Sequence, residues 1–394
     1  MDLSALRDET PGTDHVLHFN NAGAALPPQP VLDAQVRHLK REAMIGGYEA
    51  ADAASEQLQD TYDAIAEMLG CDADEVALLE NATRAWDMAF YAMPFEPGDR
   101  ILTSRAAYAS NYIACLQVAE QTGAEIEVVP SDKHGQIDVD RLQAMMDDRV
   151  RLLALTHVPT NGGLVNPAAA VGEVAESAGV PLLLDACQSA GQMPLPVDHL
   201  KCTMLSATGR KYLRGPRGTG FLYVRRDWIE RLEPPLLDLH AATWTAPDTY
   251  EIHADARRFE TWESYVAGQV GLGVAVRYAL DVGLGAIQDR TQRLAASLRD
   301  ALSNIDGVTV ADTGRTRCGI TTFYAEQMDA SSIQSALRAL DINTSVSTPS
   351  STRLDAVSRD LPDLVRASVH YYNTETEIER FAAALGAHLG RDCG

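Results

Sequence analysis

Basic residues are scarce in this sequence of 394 residues. It has 33 Lys and Arg against 55 Asp and Glu, which gives a formal net charge of −22, and only four of the basic residues are lysines. A surface with this charge repels phosphate backbones and anionic lipid headgroups. The composition therefore argues against nucleic acid and membranes as partners.

Cysteine motifs and long apolar runs are also missing. No stretch approaches the roughly eighteen consecutive apolar residues of a membrane span, and the acidic start is not typical of a signal peptide. The cysteines form no Cys-x-x-Cys pair and no cluster with histidine at zinc spacing. We expect reduced thiols, no metal site and a cytoplasmic protein. The six cysteines are Cys71, Cys115, Cys187, Cys202, Cys318 and Cys393.

Strand-like and helix-like segments alternate in the middle of the chain, whose hydrophobic share of 46% is typical of globular proteins. This alternation predicts an α/β fold with a mostly parallel sheet covered on both faces. Ligands of such sheets bind at the carboxyl ends of the strands, which directs attention to Thr156 and Asp185. The predicted strands are 99–104, 125–130, 151–157 and 180–185, and the predicted helices span 111–121 and begin near Pro167.

The pattern changes after about residue 270. A long amphipathic helix is predicted over 272–302, and short strands are predicted over 321–324 and 366–370. This part is expected to form a smaller α+β domain. The predicted organisation is an arm over 1–18, a large ligand-binding domain over 19–268 and a small C-terminal domain over 269–394.

Lys211 differs from the other lysines because it lies in a glycine-rich segment, 206–220, where backbone can approach a ligand closely. Burial and neighbouring cations such as Arg210 and Arg214 would lower the pKa of its amine and make it nucleophilic. Taken alone, however, the segment favours a turn that carries a solvated lysine. The motifs elsewhere in the chain change this balance.

Asp185 opens the sequence Asp-Ala-Cys-Gln at the end of a predicted strand. With Lys211, this motif resembles the class V aminotransferase and cysteine desulfurase family of fold type I pyridoxal phosphate enzymes, particularly its isopenicillin N epimerase-like branch, over about 19–381. The resemblance implies that pyridoxal 5'-phosphate forms a Schiff base with Lys211. It also implies that Asp185 pairs with the ring nitrogen, which keeps the ring an electron sink, and that Gln188 meets the ring hydroxyl. The alternative for Asp185 is a helix N-cap.

The same resemblance implies a phosphate site at a helix start. Ala82, Thr83 and Arg84 match the loop whose N–H groups bind the cofactor phosphate, as helix N-termini bind anions. Thr208 matches a hydroxyl that also binds the phosphate. Thr261 matches a segment that reaches into the site of a neighbouring subunit, so a homodimer is expected.

Two further residues near the predicted ring position differ from the common family pattern. Tyr108 matches an aromatic residue, often histidine, that stacks on the cofactor ring, and it is a candidate catalytic residue with Lys211 and Asp185. Arg210 stands where histidine is common. The alternative for Tyr108 is a side chain of the hydrophobic core.

The resemblance also implies a binding site for the carboxylate of an amino-acid substrate. Arg366 matches the arginine that grips this group through two guanidinium contacts. Asn21 and Ala22 match the strand and turn that line the carboxylate pocket. Thr160 and Asn161 match a second loop on the substrate side, and the sequence does not decide which of the two faces the cofactor.

The reaction is less defined than the cofactor because one ring supports several reactions. Desulfurases of the family carry a nucleophilic cysteine on a loop that corresponds to 342–353, where this chain has none. Cys187 and Cys318 are expected to be packing residues. We therefore predict β-elimination of a cysteine S-conjugate, a C–S lyase reaction, with Lys211 as general base. Alternatives are an aminotransferase, an amino-acid epimerase or a non-catalytic cofactor-binding protein.

Overall fold

The computed structural model describes residues 1–390, so Cys393 lies outside the described residues. Its central feature is a seven-stranded sheet. The helices are α1 Leu3–Asp8, α2 Gln29–Ile45, α3 Gly47–Asp52, α4 Ser55–Leu69, α5 Ala82–Phe90, α6 Ala109–Thr122, α7 Val139–Met145, α8 Ala168–Ala178, α9 Val197–Leu200, α10 Arg226–Ile229, α11 Val266–Val282, α12 Leu284–Ser303, α13 Ala330–Arg338, α14 Arg353–Ser358 and α15 Glu375–Leu389.

The strands are shorter than most of the helices. They are β1 Leu17–His18, β2 Val76–Leu79, β3 Arg100–Ser104, β4 Glu125–Val129, β5 Val150–Thr156, β6 Leu182–Asp185, β7 Met204–Thr208, β8 Gly220–Val224, β9 Ala242–Ala246, β10 Thr249–Ile252, β11 Val308–Val310, β12 Ile320–Ala325, β13 Ile342–Asn343, β14 Ser345–Ser347 and β15 Leu364–Ser368. Short 3-10 helices span Pro11–Asp14, Ala73–Glu75, Ala256–Phe259 and Pro349–Thr352.

The large sheet has the strand order β2-β8-β7-β6-β5-β3-β4, and β8 alone runs opposite to the other six strands. Strands such as β6 and β7 are buried along their whole length, as expected for a sheet covered on both faces. The predicted mostly parallel α/β sheet is therefore confirmed. The register aligns Thr156 with Asp185 and Asp185 with Ser206, so the polar ends of β5, β6 and β7 lie side by side.

The predicted helix over 272–302 is wrong because it is two helices, α11 and α12. Gly283 separates them with φ of 88°, a left-handed conformation that glycine adopts easily and that ends a helix. The two helices are bent by 79° at this break. Among the described residues, no single helix combines the length and apolar composition of a membrane span; only this bent pair passes such a test together.

A second, antiparallel sheet has the order β11-β12-β15-β14 and carries Arg366 on β15. The start of the chain reaches this sheet, because β1 pairs with β13 and Asn20 forms a bridge with Ser368. Predicted strands 321–324 and 366–370 correspond to β12 and β15. The predicted domain boundaries stay a prediction, and the one at 268/269 falls inside α11.

Gly191 packs directly on the backbone that follows Lys211. Its φ is 84°, and a Cβ atom built on it would lie 2.4 Å from the backbone N of Leu213 and the carbonyl C of Tyr212. Any other residue here would either push this segment away or distort the turn. Gly191 thus helps to fix where Lys211 enters the site.

We predict that Gly191→Ala lowers the free energy of unfolding by at least about 3 kcal/mol, a large loss for one methyl group. Gly179→Ala is the matched control, because Gly179 has φ of 67° but open space around its Cβ position. It should cost only about 1 kcal/mol for the left-handed backbone. Urea denaturation of both variants is the measurement, and equal losses would contradict the packing argument.

Candidate active site

A cavity of about 350 Å³ lies at the carboxyl ends of β5, β6 and β7. This volume is within the usual range for small-molecule sites. The position agrees with the prediction made from Thr156 and Asp185. The cavity is lined by Glu80, Asn81, Ala82, Thr83, Tyr108, Asn111, Thr156, Val158, Thr160, Asp185, Cys187, Gln188, Thr208, Arg210, Lys211, Arg217 and Gly218.

Asp185 is a buried carboxylate at the end of β6. Its Oδ2 accepts a hydrogen bond from Asn111 Nδ2 at 2.9 Å, and its Oδ1 accepts one from the Cys187 backbone N–H at 2.9 Å. Burial raises the pKa of Asp185, while the Cys187 N–H, the charge of Lys211 and Asn111 oppose the rise. The carboxylate is thus placed where a cationic partner in the cavity would stabilise its charged form.

Lys211 is 8% exposed and lines the same cavity. The solvated loop lysine is therefore the wrong alternative. Arg214, predicted to act on the Lys211 amine, points elsewhere. Its guanidinium donates to Leu26 O at 2.8 Å and Thr10 Oγ1 at 2.6 Å, and also bonds the Tyr371 hydroxyl.

The start of α5 forms one end of the cavity. Asn81 caps this helix, and its Oδ1 accepts the Arg84 N–H at 2.9 Å. Ala82 and Thr83 line the cavity, and first-turn N–H groups have no partner within their own helix. Arg84 does not line the cavity, and its N–H is used by the cap, so its predicted phosphate contact is not supported.

Thr208 and Thr261, both predicted to bind the cofactor, lie in different cavities. Thr208 lines the Lys211 cavity, and its hydroxyl donates to Thr219 O at 3.1 Å. Thr261 lines a neighbouring cavity that shares Glu80 and Gly218 with the first. In a single chain Thr261 therefore does not reach the Lys211 site.

Tyr108 and Asn111 form another wall. Tyr108 precedes α6, and its N–H donates to Thr156 Oγ1 at 3.3 Å. Its half-buried ring lines the cavity, so the alternative of a core side chain is not supported. No sequence motif predicted a role for Asn111. Asn111 follows Tyr108 by three residues and begins the predicted helix. This spacing could have indicated that both side chains face the cavity.

Thr160 links Gln188 to Arg366. Its Oγ1 accepts from Arg366 Nη1 at 2.7 Å and from Gln188 Nε2 at 3.3 Å. Asn161 turns away, since its Nδ2 donates to Thr348 O and Thr352 Oγ1. The structure therefore places Thr160, rather than Asn161, on the cavity.

Arg366 lies just behind Thr160. Besides Thr160, its guanidinium bonds only Ser345 Oγ, so all its described hydrogen bonds go to uncharged oxygens. Burial lowers the pKa of Arg366 to about 10. Arg366 is half-buried and has no carboxylate partner among the described residues, which favours binding of an anion.

Asn21 and Ala22 lie behind the cavity wall rather than on it. The Ala22 carbonyl accepts from Gln188 Nε2 at 3.1 Å, and its N–H donates to Ser368 Oγ at 2.9 Å. Asn21 Nδ2 donates to Ser368 O at 2.7 Å. These predicted substrate-binding residues therefore join the start of the chain to β15, which carries Arg366.

The prediction for Cys187 is wrong, whereas that for Cys318 agrees with its burial. Cys187 follows Asp185 by two residues and lines the cavity near Lys211 because its backbone turns to donate to Asp185. Burial raises the pKa of its thiol. Cys318 is fully buried. Among residues 1–390, no group of His, Cys, Asp and Glu could hold a metal ion.

These features define an α/β enzyme whose site combines a cavity lysine with a buried carboxylate at the ends of parallel strands. The family described as Aminotransferase class-V matches residues 17–381. The chain therefore belongs to the class V aminotransferase family. Membership identifies it as a pyridoxal phosphate-dependent enzyme, as predicted, whereas the isopenicillin N epimerase-like branch stays a prediction.

Relatives agree with this assignment. The chain is 30% identical over 376 residues to a probable cysteine desulfurase of Xylella fastidiosa, covering 94% of this chain and 90% of the relative. It is 28% identical over 381 residues to a probable cysteine desulfurase of Methanothermobacter thermautotrophicus, covering 94% of each.

Solved structures share the fold, which confirms fold type I. A cysteine desulfurase from Thermococcus onnurineus has a TM-score of 0.90 at 23% identity, covering 98% of each chain. The cystine C–S lyase C-DES, in complex with its product cysteine persulfide, has a TM-score of 0.85 at 22% identity, covering 96% of this chain and 99% of the lyase.

The residues present fit the cofactor. Ala82 and Thr83 at the start of α5 can bind a phosphate, and the Asp185 carboxylate can bind a protonated ring nitrogen. Gln188 Oε1 is buried and has no hydrogen-bond partner among the described residues. A buried amide oxygen of this kind needs a polar partner, which a ring hydroxyl can supply.

His370 connects the Lys211 segment to the strand of Arg366. Its Nε2 bonds the Tyr212 carbonyl at 2.8 Å, and its Nδ1 accepts the Tyr371 N–H at 2.9 Å. A neutral imidazole with its proton on Nε2 satisfies both contacts. Burial lowers the pKa of His370 to about 3. Protonation would remove the acceptor that Tyr371 uses.

This arrangement predicts a loss of stability in acid. The folded-state pKa lies below the ordinary value of 6.5, so the contribution of His370 is complete above pH 6.5 and declines as pH falls. The free energy of unfolding should fall between pH 7.5 and pH 5.0 in both the native protein and the His370→Gln variant. The fall should be about 2 kcal/mol larger in the native protein. Denaturant titrations at both pH values measure this difference. His199→Gln, at an exposed histidine, is the control, and equal losses for the native protein and His370→Gln would contradict the argument.

Proposed function

We propose that the chain is a C–S lyase that cleaves cysteine S-conjugates by β-elimination, with Lys211 as general base. The observation that carries the proposal is the amine of Lys211 on the cavity wall, together with a neighbouring loop without a thiol. The relatives are named cysteine desulfurases and a cystine C–S lyase. Breaking a carbon–sulfur bond is therefore the reaction type that the similarity supports.

The cavity offers a place for each part of the cofactor. Ala82, Thr83 and Thr208 would hold the phosphate, Asp185 the ring nitrogen and Gln188 the ring hydroxyl. The Lys211 amine would hold the aldehyde carbon covalently, and Tyr108 lies where its ring can cover the cofactor. When bound, pyridoxal phosphate accepts the electron pair that a broken bond at Cα leaves behind.

Arg366 is proposed to bind the substrate carboxylate. Its guanidinium is partly buried and, within residues 1–390, bonds only uncharged oxygens, so one negative charge at this point would compensate it. Thr160 holds the guanidinium in place through its hydroxyl and carbonyl. The substrate Cα would then lie between Arg366 and Lys211, and Lys211 Nζ would take the Cα proton.

The loop next to Asn161 supports elimination over persulfide formation. Asn161 Nδ2 binds this loop at Thr348 and Thr352, and the sequence over 342–353 contains no cysteine. Cys187 is the thiol on the cavity wall, but burial raises its pKa, and a protonated thiol is a poor nucleophile. The sulfur atom would therefore leave the substrate together with its substituent, as a thiol. It would not be transferred to a cysteine of the protein.

A homodimer remains a proposal. Thr261 lies in the adjoining cavity, and large aromatic side chains near it are exposed, including Trp262 at 51% and Tyr265 at 42%. Trp244, on the hairpin of β9 and β10, is 77% exposed. Exposed aromatic groups of this size favour an interface between subunits.

The proposed reaction has a product stoichiometry that can be measured. The Cα–H and Cβ–S bonds break, the sulfur takes the bonding electron pair and a proton, and the remaining enamine reacts with water to give pyruvate and ammonium. We predict one pyruvate, one ammonium and one thiol per S-conjugate. Lys211→Ala should lower the rate at least a hundredfold, about the contribution of a general base.

Lys201→Ala is the matched control, because Lys201 forms an ion pair with Glu176 at the surface, and it should retain full activity. Release of alanine from free cysteine, with the sulfur recovered as sulfide only when dithiothreitol is present as reductant, and no pyruvate from S-conjugates, would identify a desulfurase instead. A requirement for an oxo acid would identify an aminotransferase. Either result would contradict the proposal.

A further inference from the structure

Arg210 lines the cavity, and its positive charge acts on Arg366, which lies behind Thr160. We infer that the preferred substrate carries a second acidic group, on the substituent attached to sulfur, and that Arg210 determines this preference. The inference rests on the proposed lyase function for the position of the sulfur substituent. Arg210 would thus determine substrate specificity, whereas the adjacent Lys211 would act as the general base.

The contacts of Arg210 place it on the substrate side of the cavity. Its Nη1 donates to the Gly23 carbonyl, and its own carbonyl accepts the Ala25 N–H. Gly23 follows Ala22, whose carbonyl binds Gln188, and Gln188 contacts Thr160. A continuous wall thus runs from Arg210 to the Thr160–Arg366 pair.

The positive charge of Arg210 acts on the Arg366 guanidinium. Burial is the main cause that lowers the pKa of Arg366 to about 10, and the positive charge of Arg210 contributes to it. Among residues 1–390, neither arginine forms an ion pair with a carboxylate; the described hydrogen bonds of both go to uncharged oxygens. One substrate carboxylate would compensate one of these charges and leave the other.

The carboxylates on the cavity wall are not available to Arg210. Asp185 already accepts hydrogen bonds from Asn111 and the Cys187 N–H. Glu80 is exposed and precedes the cap of α5, at the other end of the cavity. No carboxylate of the cavity wall therefore compensates the charge of Arg210, which leaves it for an acidic group of a bound molecule.

The phosphate end has its own groups. Ala82, Thr83 and Thr208 lie there, and Arg217 lines the cavity beside Gly218. The Arg210 guanidinium instead bonds the Gly23 carbonyl, next to the wall of Ala22, Gln188 and Thr160. A second anion on the substrate is consequently the group that Arg210 is placed to bind, as a carboxylate bound by charge-assisted hydrogen bonds.

Two nearly isosteric substrates test this inference on the holoenzyme. S-carboxymethylcysteine carries the second acid, and S-carbamoylmethylcysteine replaces it with a neutral amide. The native enzyme should prefer the acid by at least about tenfold in kcat/KM for pyruvate release, the effect of one charged hydrogen bond. Arg210→Gln should bring the ratio close to one, and Arg210→Lys should restore part of it.

Arg217→Gln is the matched control, since it removes another cavity arginine and should leave the ratio unchanged. The affinity of each apoenzyme for pyridoxal phosphate is measured in parallel. Equal kcat/KM for the two substrates in the native enzyme would overturn the inference. It would also be overturned if Arg210→Gln weakened cofactor binding and left the ratio as it was, because Arg210 would then serve the phosphate.

β-Chloroalanine separates this inference from the proposed function. It eliminates chloride and needs no sulfur substituent, so failure to form pyruvate from it would count against the lyase function alone. The thermal shift produced by each S-conjugate on the holoenzyme reports binding without turnover. A larger shift with the acid, abolished in Arg210→Gln, would support the inference even then, and equal shifts would overturn it.

Discussion

The buried negative charge of Asp185 is the constraint on which the site depends. A carboxylate removed from water is costly unless hydrogen bonds and a cation compensate it. Here Asn111 and the Cys187 N–H supply the hydrogen bonds, and Lys211 supplies positive charge across the cavity. The parallel arrangement of β5, β6 and β7 brings these groups to one edge of the sheet. The position of the site residues therefore depends on the pairing of these strands.

Segments far apart in sequence are held around Lys211 by two buried side chains. Arg214 follows Lys211 by three residues and bonds Thr10, Leu26 and Tyr371, the last at a separation of 157 positions. Its ring contact with Tyr372, 4.5 Å from the guanidinium carbon to the centroid, adds a cation–π interaction. His370 makes a parallel link from Tyr212 to Tyr371. The start of the chain and the strand of Arg366 are thereby fixed against the lysine segment.

Much of this could be predicted from short motifs. The alternation of strands and helices gave the α/β sheet, and the Asp-x-x-Gln motif with Lys211 led to the family and to eight side chains or turns that line the cavity. Those residues are Ala82, Thr83, Tyr108, Thr160, Asp185, Gln188, Thr208 and Lys211.

The remaining features depend on orientation, which sequence patterns do not encode. Arg214 lies close to Lys211 in the chain, yet its side chain points to the opposite side of the backbone, where tyrosines stabilise it. Cys187 was expected to pack internally, but the turn after Asp185 directs it into the cavity. The break at Gly283 was not predicted, because the hydrophobic periodicity of a helix continues on both sides of it.

The central claim is that Lys211, rather than another lysine, holds the cofactor. Because the chain has only four lysines, reduction of the holoenzyme with borohydride followed by peptide mass mapping can test all of them at once. The peptide that contains Lys211 should carry the mass of the reduced cofactor. Cofactor attached to Lys40, Lys133 or Lys201, or to no lysine, would contradict it.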